Sequence, residues 1–482
     1  MVELEVMAEN NSQISLRKLS GIATAVLSVL LIAAICFYKQ RILFVDPAFI
    51  AFSILNQHSF LIIEYRYGAF ITQMVPLLSS FLHLSLKNIL LAYSVSFNLF
   101  YLIVALLLCY RYKQFGLAIL MAFYFTLFVS DAYFWTNNEV HQGISWMFLC
   151  FGSTMYMAQK QKKTLLFVPF ILFSFLAIFS HFLVIIPFSF LWFFFWIGKN
   201  NWPFSKQTSV ILTLVWIIVF IVKYYLGFNS WYDGGRLHNA THFNLHDIIL
   251  SITSDHAKKF ISLIFTAYWL VILLFAAGIV ALLKDKKYIL ASLTAAYCLG
   301  YFIALSLTFG GFGKELLFYM ESEWMGLGII AATPFVYSFL PRLKLSSALP
   351  LLSAIFLIRL VYIACAAPAF INRIKFIEAA EQKMTEKGYT KIIIKRDSRT
   401  AQTLIMDWGA PVESLFFSAI KNDKPQLTFA VVPQEELSKV PRDNKTFLSC
   451  FSPLNDSELN KEYFHFDTTR PYKILSYDEL MK

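Results

Sequence analysis

The chain has 482 residues, of which 58% are hydrophobic and only 15% are charged, and it carries a formal net charge of +11. Soluble globular proteins carry about 25% charged residues, so this composition excludes an ordinary soluble protein and predicts one that spans a membrane. The basic residues follow the loops between apolar runs and form no patch that indicates nucleic-acid binding.

Apolar runs long enough to cross a bilayer, roughly 20 residues each, recur up to about residue 370. We predict an all-α polytopic protein with eleven spans, at residues 22–38, 88–108, 115–133, 142–158, 164–180, 182–197, 208–226, 260–283, 288–308, 324–341 and 346–367. Residues 164–197 leave two alternatives open, a tight pair of helices or one long helix with a tail.

The segments between the predicted spans alternate in charge. The loops on one side are basic and contain a single acid, Asp285, whereas the other side mixes both signs. The positive-inside rule therefore puts residues 1–20 in the cytoplasm and makes residues 21–370 the transmembrane domain. The first helix is predicted to stay as an anchor, because no small-residue cleavage site follows it. An odd number of spans puts residues 371–482 outside.

Residues 371–482 change to the composition of a globular domain. Helical patterns alternate with buried-strand patterns such as "TKIIIK" and "QLTFAVVP", which predicts a small α/β domain. It has no GxGxxG or P-loop motif, so a structural or docking role is favoured over a second active site. The six cysteines of the chain show no spacing typical of a metal site or a disulfide framework.

The first outer segment, residues 44–87, combines apolar and charged residues. It opens with "FVDPAF", in which Pro47 biases Asp46 toward extended backbone, so a helix beginning there would have Asp46 at its N-cap. The rest of the segment suits helices that lie in the membrane interface with their polar faces toward a site. Its candidate substrate-binding residues are His58, Glu64 and Arg66.

Three further outer loops carry candidate residues. Glu139 and His141 lie in "NNEVHQG" as either an acid–base pair or an ordinary polar turn, and we favour the turn. His181 follows an apolar run and either contacts an anionic headgroup or caps the turn. Lys314, in the glycine-rich "GGFGKELL", is a candidate cation on a loop that is either a gate or a flexible connection.

Histidines recur every four residues at His238, His242 and His246, which on one helix would align three imidazoles for a metal. The preceding "DGGR" is predicted to break the helix, and Asn244 reads as the N-cap of the next one, so we predict no metal site here. Arg236, beside the glycine pair, is a better candidate for binding phosphate because its planar fork suits that anion.

A retained first helix, an acid early in the first outer segment, alternating spans and an outer C-terminal domain resemble the GT-C superfamily of integral-membrane glycosyltransferases. The resemblance covers roughly residues 20–370 and is mainly topological. Asp46 in "FVDPAF" matches the family's acid, and Glu139 falls where some members carry a second acid. The resemblance implies a sugar donor linked to a polyprenyl phosphate, an unidentified acceptor, and a location in the bilayer of the bacterial inner membrane.

The same residue types suit glycosyl transfer on chemical grounds. A carboxylate accepts the acceptor proton, and cations hold the departing phosphate. Such a site works with or without a divalent ion such as Mg²⁺ or Mn²⁺. A transporter or flippase is the alternative from another class; the scarcity of charges in span centres and of internal repeats argues against it. An O-antigen polymerase or ligase-like enzyme is the second alternative, which the odd span count disfavours.

Overall fold

A computed structural model describes residues 2–136, 139–162, 165–199, 202–241, 243–309, 316–421, 424–441 and 443–482, with side chains from residue 15 onward except at 239 and 240. About 74% of the chain is helical, and strands are few. The prediction of a mainly helical membrane protein is therefore confirmed.

The helices are numbered in chain order: α1 (Val2–Cys36), α2 (Tyr38–Ile42), α3 (Val45–Gln57), α4 (Phe70–Phe81), α5 (Leu86–Leu106), α6 (Phe115–Tyr124), α7 (Glu139–Gln159), α8 (Phe167–Ile178), α9 (Ile185–Gly198), α10 (Lys206–Phe228), α11 (Tyr232–Thr241), α12 (Leu245–Ile252), α13 (Asp255–Thr266), α14 (Trp269–Lys284), α15 (Tyr288–Phe309), α16 (Leu317–Pro334), α17 (Leu345–Glu386), α18 (Ser398–Leu404), α19 (Ala410–Ile420) and α20 (Tyr477–Met481). Helix α1 packs on α5 and α6, α7 packs on α8, and α14 packs on α16.

Six helical segments in the described chain are long and apolar enough to cross a membrane, or seven if the bent pair α13–α14 is one span. They are Ser15–Cys36, Leu86–Arg111, Lys206–Phe228, Tyr288–Phe309, Leu317–Arg342 and Leu345–Glu386. Several other predicted spans coincide with apolar helices of only 10–17 residues, so length and composition do not establish the count of eleven. Of the stretch 164–197, the described residues 165–197 fold as two helices, α8 and α9, with a turn at His181 between them.

Arg359 joins two interrupted helices in the transmembrane domain. Helices α13 and α14 meet at a bend of 78°, and Arg359, buried on α17, donates to the carbonyl of Ala267 at that bend (2.6 Å). It also donates to Thr126 (2.9 Å) and Val129 (3.1 Å), just beyond the end of α6. Carbonyls at a helix end have no intrahelical partner, and in a membrane they need an internal donor. Arg359 is thus one of the few charged residues inside the predicted spans, and its role is to bind these carbonyls.

The C-terminal region contains a parallel sheet in the order β2–β1–β5, from strands β1 (Lys391–Lys395), β2 (Thr428–Val432) and β5 (Lys473–Leu475). Strands β3 (Thr446–Phe447) and β4 (Leu454–Asn455) form a separate antiparallel pair. The two strands predicted from "TKIIIK" and "QLTFAVVP" are β1 and β2.

No linker separates the membrane-spanning part from this sheet. Helix α17 runs for 42 residues through the predicted boundary at residue 371 and ends only before β1. The composition changes at residue 371, but the helical periodicity does not, so the boundary lies inside one continuous helix. The C-terminal domain is thus attached to the membrane part by a helix and packs against the first outer segment, where Asn460 donates to the carbonyl of Leu55 (2.7 Å).

Candidate active site

Asp46 lies in the first turn of α3, which begins one residue earlier. The predicted N-cap role is wrong, because its Oδ2 instead accepts a hydrogen bond from the indole N–H of Trp135 (2.9 Å). Trp135 comes from the segment before α7 and packs against Phe318 and Tyr319 on α16, with ring centroids 5.2 and 4.7 Å apart. Trp135 therefore links the carboxyl group of Asp46, in the first outer segment, to α16.

The C-terminal domain supplies the hydrogen-bond acceptor at the start of α3. Oε1 of Glu413, on α19, accepts from the backbone N–H of Val45 (2.6 Å). Glu413 also pairs with Arg373 of α17, and both side chains are almost completely buried. Arg373 donates in addition to the carbonyls of Leu43 and Leu404. A buried ion pair thus fixes the backbone on the N-terminal side of Asp46.

The backbone at Val45 is strained. Its φ is +37°, a region that β-branched residues rarely adopt and that costs roughly 1–3 kcal/mol. Gly409 allows the close approach that holds it, since a Cβ there would lie 2.8 Å from Cα of Val45 and 2.4 Å from Oε1 of Glu413. Such strain persists where the surrounding structure over-determines it, and here it sets the direction of the residue that follows, Asp46.

Burial raises the pKa of Asp46 to about 7, although part of the side chain remains accessible. The hydrogen bond from Trp135 opposes this shift, the nearby Glu139 carboxylate adds to it, and Arg66 lowers the pKa. A carboxyl with a pKa near neutrality can accept a proton and release it again at physiological pH.

This pKa shift predicts how Asp46 affects stability. Because the folded pKa of about 7 exceeds the ordinary value of 3.8, the folded state binds more protons between these pH values and loses stability as pH rises through them. Asp46→Asn removes this cost. We expect the variant to melt higher than wild type at pH 8 and close to wild type at pH 4, measured by thermal unfolding of the purified protein. A lower melting temperature than wild type at pH 8 would contradict the buried, proton-binding environment.

Arg66 is held by two carboxylates and is almost completely buried. Its guanidinium lies 3.1 Å from Oε2 of Glu139, the first residue of α7, and 2.6 Å from Oδ1 of Asp233 on α11. The two acids neutralise the arginine that we expected to bind a phosphate. Arg66 instead ties the first outer segment to α7 and α11.

Glu64 fixes the start of α11 in the same cluster. Its carboxylate accepts from the backbone N–H groups of Tyr232 (3.1 Å) and Asp233 (3.2 Å) at the N-terminus of that helix. Lys223, fully buried on α10, donates to the carbonyl of Glu64 (2.7 Å) and lies 3.8 Å from Asp233. Negative groups at a helix N-terminus are stabilising, so Glu64 stabilises the start of α11, the helix that carries Arg236.

Arg236 keeps about 28% of its side chain exposed. Its guanidinium lies 4.5 Å from the ring centroid of Tyr232 and 4.7 Å from that of Phe309, and its Nη1 is 4.0 Å from Oε1 of Glu323. The predicted helix break at "DGGR" is wrong, since α11 runs through it from Tyr232 to Thr241. This helix places Arg236 one turn after Tyr232, with its guanidinium stacked on the ring of that tyrosine.

The side chains of these elements converge. Asp46, Glu139, Arg66 and Arg236 are all electrostatic neighbours of the Tyr232 hydroxyl. Asp46, Arg236 and Glu323 are likewise neighbours of Tyr319 on α16. The structure therefore brings together a proton-accepting carboxyl, a partly exposed guanidinium and a surrounding ionic network.

Two predicted histidines take other positions. His58 ends α3 at the far side from Asp46, where Nε2 contacts Asn460 (3.1 Å). His141 is buried with its Nδ1 2.8 Å from the Tyr124 hydroxyl, and it points away from Glu139 because residues two apart on a helix face different sides. The turn predicted for these two residues is wrong, since both lie in the first turn of α7.

His181 lies near the cationic part of the cluster. Its Nδ1 accepts from the backbone N–H of Leu183 (3.2 Å), the capping alternative of the two predicted. Burial holds its pKa well below the ordinary value, and Arg66, Lys223 and Arg236 act in the same direction. A neutral imidazole offers no charge to an anionic headgroup.

Lys314 and His242 lie outside the described residues. Among the described residues no group of three or more His, Cys, Asp or Glu side chains is placed to hold a metal ion. Asn244 is the N-cap of α12 and forms a capping box with Asp247, as predicted. Sequence reasoning assigned no site role to Trp135, Tyr232, Asp233 and Glu413; only Asp233, beside the "GGR" that was singled out, gave a local signal.

No family model matches the chain, and no curated protein or solved structure shows significant similarity to it.

Proposed function

We propose that this protein is a GT-C-like glycosyltransferase that moves a sugar from a polyprenyl-phosphate donor to an acceptor on the extracytoplasmic face. The observation that carries the proposal is Asp46, a partly buried residue whose carboxyl has a pKa of about 7 and is oriented by Trp135. A base with that pKa takes up a proton near neutral pH and contributes roughly 10²–10⁴-fold to rate.

In the proposed reaction, the acceptor hydroxyl oxygen bonds to the anomeric carbon of the sugar. The bond between that carbon and the phosphate oxygen breaks, and the oxygen leaves with the electron pair as polyprenyl phosphate. The hydroxyl proton passes to Asp46, which is a carboxylate at the start of the step. Glu139, which pairs with Arg66, raises the proton affinity of Asp46.

Arg236 is the proposed contact for the departing phosphate. Arg66 is paired with two carboxylates and Lys223 is fully buried. The Arg236 side chain stays about 28% exposed, stacks on Tyr232 and has one carboxylate, that of Glu323, at 4.0 Å. Guanidinium groups bind phosphate through two parallel hydrogen bonds, and stacking on an aromatic ring fixes the plane of the fork.

The topology that goes with this function has eleven spans, with Asp46 and the C-terminal domain outside. The contact of Val45 with Glu413 supports placing Asp46 and the C-terminal domain on the same side of the membrane. The chain between them must therefore cross an even number of times. Ten of the eleven predicted spans lie between them; six crossings, with α13–α14 as one span, satisfy the same parity.

Arg236→Gln is expected to weaken binding of a polyprenyl-phosphate sugar by roughly 10-fold or more, since a charge-assisted hydrogen bond contributes about 1.5–3 kcal/mol. Binding is measured with a radiolabelled donor and purified protein. Arg399→Gln is the control, because Arg399 is exposed in the C-terminal domain and pairs with Asp478. Equal donor affinity in wild type and Arg236→Gln would remove Arg236 from the site.

Two features of the structure favour the transporter alternative. The broken pair α13–α14 and the buried Arg359 and Lys223 resemble the interrupted helices and internal charges of transporters. The two functions separate in proteoliposomes containing labelled donor and acceptor extract. Transfer of label to an acceptor supports the enzyme, whereas movement of intact donor across the bilayer without transfer supports the transporter.

A further inference from the structure

A small cavity lies next to Trp135, and Asp46 is not among the residues that line it. Its volume is about 30 Å³, and every residue that lines it is buried. Arg41 of α2, Tyr101 of α5 and Thr136 provide its polar lining, together with Asn98 and His141. A cavity of this size holds about two water-sized particles, so a phosphate-bearing lipid does not fit.

The unpaired polar groups of this lining are hydrogen-bond donors. Nε and Nη1 of Arg41, the hydroxyl of Tyr101 and the hydroxyl of Thr136 are buried and have no acceptor among the described residues. Buried polar groups almost always have a partner, so four such groups around one cavity call for an acceptor inside it.

The positive charge of Arg41 indicates that this acceptor is negatively charged. Its Nη2 donates to Oδ1 of Asn98 (2.7 Å) and its guanidinium lies 4.3 Å from the ring centroid of Tyr133, but among the described residues no carboxylate forms an ion pair with it. By contrast, Arg66 has two carboxylates and Arg373 has Glu413. Burying an uncompensated charge is costly, and a neutral water molecule compensates it poorly.

We propose that this cavity binds a small monatomic anion of the chloride type, held by Arg41, Tyr101 and Thr136. The anion accepts hydrogen bonds from the four unpaired donor groups and neutralises the guanidinium of Arg41. It thereby stabilises the junction of α1, α2 and α5, whose residues Leu30, Arg41 and Asn98 meet at the cavity. This site is independent of the proposed enzymatic function.

The test is the melting temperature of the purified protein at constant ionic strength, with chloride or bromide replaced stepwise by gluconate. Because an anion that binds the folded state stabilises it by mass action, wild type is expected to melt about 2–4 °C higher in saturating chloride than in gluconate. Arg41→Gln is expected to lose this dependence. Arg111→Gln, an arginine that donates to Tyr156 far from the cavity, is the control and should keep it.

A second variant keeps the test decisive if Arg41→Gln fails to fold. Thr136→Val removes one donor at nearly constant volume and is expected to raise the half-saturating chloride concentration roughly 2- to 10-fold, the effect of one hydrogen bond. Wild-type melting temperatures that are equal in chloride, bromide and gluconate would overturn the proposal. So would a chloride dependence that persists unchanged in either variant.

Discussion

Asp46→Asn is expected to lower the turnover number for glycosyl transfer by roughly 10²–10⁴-fold, the contribution of a general base. The amide keeps an oxygen for the indole N–H of Trp135, which is 2.9 Å from Oδ2 in the wild type, so the fold at the start of α3 should survive. Donor affinity should stay close to that of wild type, because Asp46 acts on the acceptor proton. The wild-type rate should rise with pH through about 7 as Asp46 ionises.

Asp131→Asn is the matched control for this variant. Asp131 is a second aspartate that is only partly exposed, and it has Lys259 as a charged neighbour. It therefore offers the same carboxyl group without the contact to Trp135. Turnover of Asp131→Asn should match wild type, and an Asp46→Asn variant that is equally active would exclude Asp46 as the base.

Arg373→Met is expected to destabilise the protein by roughly 3–5 kcal/mol, since removal of one partner leaves a buried charge without compensation. The charge left behind is Glu413, whose side chain is completely buried and whose carboxylate also accepts from Val45. The loss should appear as a lower melting temperature and as reduced activity, because the same contact holds the strained backbone before Asp46.

The double variant Arg373→Met/Glu413→Gln separates charge from packing. Glutamine keeps an oxygen for the N–H of Val45 but carries no charge, so the double variant should recover most of the stability that Arg373→Met loses. Its turnover rate should also rise with pH through about 7, as in the wild type. A general loss of folded protein lowers the rate without shifting this pH dependence. A double variant whose loss equals the sum of the two single losses would show that the two side chains are not coupled.

The sequence predicted those features that depend on local patterns. The apolar helices, the strands β1 and β2 and the Asn244 cap were identified in this way, because hydrophobic periodicity and capping residues act within a few positions. Asp46 was singled out as an ionisable residue at the edge of a span. Its N-cap role was wrong because its partner, Trp135, is 89 positions away in the chain.

The parts of the site that depend on distant contacts could not be predicted. Arg66 was expected to bind a phosphate, but Asp233, 167 positions away, takes its guanidinium. Glu413 reaches Val45 across 368 positions, and its place in the apolar helix α19 of the C-terminal domain gave no sign of that contact. The "DGGR" stretch is helical because Glu64 and Lys223 hold its start, so tertiary contacts override the low helix propensity of glycine.

Asp46 is tested as the general base by a single-turnover experiment with purified wild type and Asp46→Asn, using radiolabelled polyprenyl-phosphate sugars and a membrane extract as acceptor. Both proteins should bind one of the donors with similar affinity, and only the wild type should transfer its label. Equal transfer by the two proteins would contradict the role of Asp46, and the absence of donor binding by either would contradict the glycosyltransferase itself.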